Sequence, residues 1–335
     1  MNDVSTTTRY AVEASGVRRA FGSVHAVVNA SLAVEPGSVT ALIGPNGCGK
    51  TTLMLMLAGL LKPDGGTIHV GDVSPLEHPK AARTAVGWMP DVLGTWESLT
   101  CLETLETFGR AYGASAAEAT TNGFALLQRV HLAELAGQPA RVLSRGQKQR
   151  LSLARALVHD PGVLILDEPA SGLDPRSRVE LRDLVREFAA EGKAVLVSSH
   201  VLAELDEMVD DAVFMSKGVT LGDVADAEVA RARTRWRVVA IDGGGGGGDL
   251  ASALAVAKRD FTLEVPDPKA ADAKPSPSTT SALVSVASAL VSVADDADAA
   301  DLLAALVGAG VRVARVAPVG SALEQAYLTM ETDRR

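Results

Sequence analysis

The sequence predicts an α/β domain built around a parallel sheet, followed by a small α+β domain of ferredoxin-like order. Two observations carry this. Between Tyr10 and about Thr220, the short apolar runs Val39–Ile43, Val163–Leu166 and Ala194–Val197 alternate with amphipathic helical segments, the pattern of strands covered on both faces. Beyond that stretch the elements read strand, helix, strand, strand, helix, strand. A chain of 335 residues suits two domains, expected at 1–226 and 227–335.

In the first domain, the strand Val39–Ile43 runs through a glycine-rich loop into a helix expected over Thr51–Leu61. Leu53, Met56, Leu57 and Leu60 fall on one face of it and read as core. A helical subdomain is expected across about 97–158, before the strands Val163–Leu166 and Ala194–Val197. The second domain reads as strand Arg235–Ile241, helix Asp249–Arg259, strands Phe261–Val265 and Leu283–Val293, helix Asp296–Val307 and strand Val311–Val316. A last amphipathic helix is expected over Leu323–Met330. The Gly-rich stretch 243–248 and the Pro/Ser-rich stretch 266–281 read as loops. Ser281–Ala287 recurs unchanged as Ser288–Ala294, which leaves the register of that strand open. Arg231, Arg233, Arg235 and Arg237 alternate along a strand and read as a charged edge that resists aggregation rather than as a lipid contact.

Composition excludes several classes of function. No run of eighteen apolar residues occurs, although 47% of the chain is hydrophobic, so no segment is expected to span a bilayer. Met1–Thr8 is polar and lacks the basic and apolar regions of a secretory signal, so a cytoplasmic chain is expected. Cys48 and Cys101 are the only cysteines and form neither a disulfide framework nor a zinc pattern. The net charge of −9 argues against a nucleic-acid partner.

The chemistry is concentrated in a few motifs. Gly44-Pro45-Asn46-Gly47-Cys48-Gly49-Lys50-Thr51-Thr52 matches the phosphate-loop pattern, and it stands between a strand and a helix as that motif requires. Its glycines let backbone N–H groups aim at phosphate oxygens, Lys50 suits the β- and γ-phosphates, and the Thr51 hydroxyl suits Mg²⁺. Val163–Leu166 ends in Asp167-Glu168, at the sheet edge where open α/β folds bind ligands. Asp167 is placed on the Mg²⁺ side, and Glu168 is placed to accept a proton from attacking water. Alone, such a pair is more often a solvated turn; the upstream phosphate loop reverses that preference. Ala194–Val197 ends in Ser198-Ser199-His200, which brings an imidazole to the same edge as a γ-phosphate sensor. Cys48, between glycines, is either a small residue that fits or a thiol open to alkylation.

Leu143-Ser144-Arg145-Gly146-Gln147, just upstream of the acidic pair, resembles the LSGGQ signature of the ABC transporter ATPases, and the resemblance extends from Tyr10 to about Asp226. It implies that Ser144, Arg145, Gly146 and Gln147 face the ATP of an opposite subunit in a head-to-tail homodimer. It also implies that Phe21 stacks on adenine, that Ser171-Gly172-Leu173-Asp174 communicates across the dimer through Asp174, and that His200 is the switch histidine. Asp91 stands where the family has a glutamine and is assigned to Mg²⁺, and Arg145 replaces a glycine. These features, with the ending Leu323-Glu324-Gln325-Ala326-Tyr327-Leu328, look similar to drug and antibiotic export ATPases that pair with a separate permease on the inner face of the membrane. The resemblance therefore implies an ATP hydrolase using ATP and Mg²⁺. A soluble ABC ATPase acting on nucleic acid, the ribosome or a regulatory partner is the alternative; a single cassette without coiled coils speaks for transport.

Overall fold

The computed structural model describes residues 10–92, 94, 97–200, 205, 208–221, 234–242, 250–257, 261–264, 285–293 and 296–318. Two compact units divide at Ala225/Asp226.

The first unit is built on a nine-stranded sheet. Its strands are β1 (Val12–Phe21), β2 (Val24–Val34), β3 (Val39–Ile43), β4 (Gly65–Val70), β5 (Val86–Met89), β6 (Val163–Leu166), β7 (Ala194–Ser199), β8 (Asp211–Ser216) and β9 (Val219–Leu221). They lie in the order β4-β1-β2-β9-β8-β3-β7-β6-β5. From β8 to β5 every neighbouring pair is parallel. β3 and β6 are wholly buried, β6 as an uninterrupted apolar run and β3 with Thr40 as its one polar residue. The β4-β1-β2 wing is antiparallel, and its strands alternate buried with exposed residues because only one face is covered.

Helix α1 (Lys50–Leu57) is shorter than the sequence reading of Thr51–Leu61. Gly59 adopts φ +66° and closes a Schellman turn, with Leu60 N donating to Leu55 O and Gly59 N to Met56 O. Leu53, Met56 and Leu57 are buried as expected, but Leu60 lies beyond the turn and is 51% exposed, so it leaves the core. Helix α2 (Pro79–Ala85) precedes β5. Between β5 and β6 stand α3 (Cys101–Ala111), α4 (Ala116–Arg129) and α5 (Arg145–Ala156), each opened by a Ser/Thr capping box, at Thr100, Ser115 and Ser144. Tyr112, at the end of α3, stacks on His159 with ring centroids 3.8 Å apart, and His159 Nε2 lies 3.1 Å from Val86 O. That pair fastens the helical insert to β5. Helix α6 (Pro175–Ala190) leads to β7.

In the second unit the elements are β10 (Thr234–Asp242), α7 (Leu250–Val256), β11 (Phe261–Glu264), β12 (Ser285–Val293), α8 (Asp296–Gly308) and β13 (Val313–Pro318). The sheet runs β11-β12-β10-β13, antiparallel throughout, which is the ferredoxin-like order. Val238, Ala240, Ala289, Val291 and Val293 pack with Leu254, Leu302 and Leu306 to form its core. Pairing of Val239 with Ser288 and of Thr234 with Val293 places the second copy of the seven-residue repeat in β12. Arg237 is exposed on β10, while Arg231, Arg233, both predicted loops and the helix predicted over Leu323–Met330 fall outside the described residues.

Candidate active site

Gly44–Gly49 links β3 to α1 and wraps the start of that helix. Pro45, Asn46 and Gly47 form the exposed crest, while Cys48 is buried beneath it. Two glycines are compelled here. A Cβ on Gly44 would lie 2.2 Å from Met215 O, and Gly49, at φ +111°, would place one 2.3 Å from Ala26 O. Burial pushes the Cys48 thiol above its ordinary value, outweighing the nearby Lys50 ammonium. Of the two sequence readings of Cys48, that favours the small packed residue over the reactive thiol. Thr52, next along α1, is half-buried.

Lys50, only 6% exposed, donates from Nζ to Gly44 O at 2.7 Å, and its ammonium lies 3.3 Å from Glu168 Oε1. Thr51 Oγ1 donates to Asp167 Oδ2 at 2.7 Å. The adjacent β3, β7 and β6 thus bring loop, hydroxyl and carboxylates to one edge. Glu168 has φ +48°, a left-handed conformation that costs a non-glycine residue about 1–3 kcal/mol. The turn sends its side chain away from Asp167 toward Lys50 and His200. His200 Nδ1 lies 2.8 Å from Glu168 Oε2, so the predicted γ-phosphate sensor is engaged with the predicted base. Glu168 Oε1 is buried without a hydrogen bond.

Ser198 was not among the sequence candidates, yet it joins both carboxylates. Its hydroxyl donates to Asp167 Oδ1 at 2.6 Å and accepts from Glu168 N at 2.9 Å. The only local signal in the sequence is a hydroxyl directly after the apolar run Ala194–Val197.

Asp91 follows β5 on the same edge. Desolvation first, then the charges of Asp167 and Glu168, raise its carboxyl above the ordinary value, while Arg145 and His200 oppose the shift. Asp167 suits Mg²⁺: it is 2% exposed, accepts from the Thr51 and Ser198 hydroxyls and has no cation at ion-pair distance among the described residues.

Of the remaining candidates, Arg145 is close enough to Asp91 for its charge to act on that carboxyl. Ser144 caps α5, its hydroxyl accepting from Gln147 N at 3.2 Å while Gln147 Oε1 accepts from Ser144 N at 2.8 Å. Asp174 caps α6, accepting from Ser177 N at 3.0 Å and from Ser177 Oγ at 2.7 Å, and these bonds hold its carboxyl below the ordinary range. The two helix starts interlock: a Cβ on Gly146 would lie 2.5 Å from Ser177 Oγ, and one on Gly172 would lie 2.6 Å from Arg145 Cζ. Phe21 is half-exposed at the tip of the β1–β2 hairpin.

Among known proteins, the ABC transporter family profile matches residues 27–171. The Nod factor export ATP-binding protein I of Ralstonia nicotianae is 37% identical over 61% of this chain, and the match spans 63% of that relative, short of two thirds of its length. The daunorubicin resistance ATP-binding protein DrrA3 of Streptomyces coeruleorubidus is 35% identical, over 67% of this chain and 71% of its own. A dimeric post-hydrolysis structure of the ATP-binding cassette MJ0796 with ADP and Pi superposes with a TM-score of 0.56 and 25% identity, over 62% of this chain and 95% of that one.

Proposed function

The chain belongs to the ABC transporter family of ATP-binding proteins, and from that premise we propose that it is the ATP-hydrolysing subunit of an exporter of drug-like or other small molecules, acting as a homodimer beneath a separate permease. The observation that carries the reading is the position of Glu168, opposed by Lys50 and His200 at the mouth of the phosphate loop.

In this reading Phe21 receives adenine, and the N–H groups of residues 44–52 with the Lys50 ammonium hold the phosphates. Water attacks the γ-phosphorus and passes its proton to Glu168, the bond from that phosphorus to the bridging oxygen breaks, and ADP departs. His200 and Ser198 keep the Glu168 carboxyl and its backbone in place. Thr51, Asp167 and Asp91 would hold Mg²⁺, which neutralises phosphate charge when bound. Ser144, Arg145, Gly146, Gln147 and Asp174 serve the ATP of the second copy. Export rests on what the two relatives are named for, Nod factor export and daunorubicin resistance. No helix among the described residues is long and apolar enough to cross a membrane.

The test is to purify tagged Glu168→Gln chain from native membranes with ATP and Mg²⁺ and identify what accompanies it. A polytopic membrane protein in stoichiometric amount is expected. Ribosomes, nucleic acid or no partner would overturn the transporter reading in favour of a soluble ABC ATPase. Lys50→Ala measures the phosphate loop separately: it should lose tight ATP binding.

A further inference from the structure

Phe21 is 47% exposed, and one face of its ring is occupied. The Arg19 guanidinium lies over that face, with Cζ 4.7 Å from the ring centroid. β1 is irregular on both sides of Arg19, with register shifts between Val17 and Arg19 and between Arg19 and Ala20, which re-aims the side chain along the hairpin tip. Arg19 is itself pinned. Its Nη1 lies 2.7 Å from Asp64 Oδ1, while Asp64 Oδ2 accepts from Ala20 N at 2.7 Å and Asp64 N donates to Arg18 O at 2.8 Å. Asp64 is thus tied to three consecutive residues of β1.

The tip stands beside the phosphate loop. Phe21 pairs with Val24 across the hairpin, and Ala26, two residues along β2, meets Gly49 so closely that a Cβ there would lie 2.3 Å from its carbonyl oxygen. At strand spacings, that puts the ring roughly 12 Å from the loop, a span that ribose and phosphates bridge.

We propose that Arg19 is a positioning residue for the nucleotide base: pinned by Asp64, it backs one face of Phe21 and leaves a single fixed face on which a purine stacks. The inference rests on the ATP-binding reading above. A ring already held in one orientation gives up little conformational freedom on binding, and a cation behind it draws electron density from the face offered to an electron-rich base. Asp64 matters because its carboxyl stays ionised: the Ala20 N–H first, and then Arg19, hold it below the ordinary range.

The experiment measures the affinity of the full chain for ADP and, separately, for inorganic tripolyphosphate, by displacement of a ribose-labelled fluorescent ATP. Arg19→Ala should weaken ADP about three- to tenfold and leave tripolyphosphate unchanged, with Arg19→Lys recovering part of the loss and Asp64→Ala reproducing part of it. Equal losses for both ligands in Arg19→Ala would mean general damage to the fold and overturn the proposal. Unchanged ADP affinity in Arg19→Ala, with a loss in Phe21→Ala, would overturn the role of Arg19 and keep the base site. Unchanged ADP affinity in both would remove base stacking on Phe21 itself, while Lys50→Ala would still report on ATP binding.

Discussion

The imidazole of His200 sets its Nδ1 2.8 Å from Oε2 of Glu168, so the residue directly after β7 and the residue that turns out of β6 share one hydrogen bond. Each orients the other, and the second carboxylate oxygen, Oε1, is ion-paired with the Lys50 ammonium at 3.3 Å.

Glu168→Gln keeps the shape of this contact but removes the proton acceptor. ATP should still bind, with turnover falling at least about a hundredfold. Single-turnover hydrolysis measured beside ATP binding checks both halves; near wild-type turnover would remove Glu168 from the role of base.

Ser198→Ala strips a partner from Glu168 N and from Asp167 Oδ1 at once, both in buried surroundings. Stability should fall by about 1–3 kcal/mol. Turnover should fall about ten- to a hundredfold, as when a supporting hydrogen bond behind a metal site is lost. Denaturant unfolding and hydrolysis rates on the same variant test the two effects, and an unchanged rate would leave Ser198 a purely structural residue.

Gly146→Ala sets two effects against each other. Helix propensity favours alanine by about 1 kcal/mol. The new methyl, however, would meet Ser177 Oγ at 2.5 Å and Ser177 Cβ at 2.9 Å, and overpacking of that kind costs about 1–3 kcal/mol. Destabilisation is therefore expected, relieved when Ser177→Gly is added; a double-mutant cycle by thermal unfolding reads the coupling.

Burial lowers the basicity of His159 below its ordinary 6.5, against the Val86 carbonyl and Asp160, which favour the proton, and with Lys193, which disfavours it. The folded state therefore holds His159 neutral where the unfolded chain begins to protonate it. Its contribution is complete above pH 6.5 and is lost as pH falls toward the lower folded value. His159→Gln should flatten the fall of melting temperature across that window, and equal slopes in both proteins would refute the assignment.

Much of this was legible because the motifs follow short, mostly apolar runs: the phosphate loop begins directly after Val39–Ile43, and Asp167-Glu168 directly after Val163–Leu166. Val39–Ile43 and Val163–Leu166 fixed both the strands and the edge on which Lys50, Asp167 and Glu168 gather. Ser198 escaped notice because its role exists only between strands: nothing local shows that β7 lies beside β6 with its hydroxyl between two carboxylates. The antiparallel pairing of β4 with β1 joins residues dozens of positions apart, and Leu60 was misplaced because helical spacing continues past the turn that Gly59 makes. Ser177 was invisible for a similar reason, since its meaning lies in Gly146 on another helix.

Ser144 and Asp174 both spend their side chains on the first turn of their own helices. Natural selection for folding alone would retain them, even in a copy of the chain that never met a second subunit. A lineage could thus keep both residues intact long after losing the assembly in which they face a neighbour's nucleotide, and their presence in a sequence is a record of helix starts before it is a record of pairing.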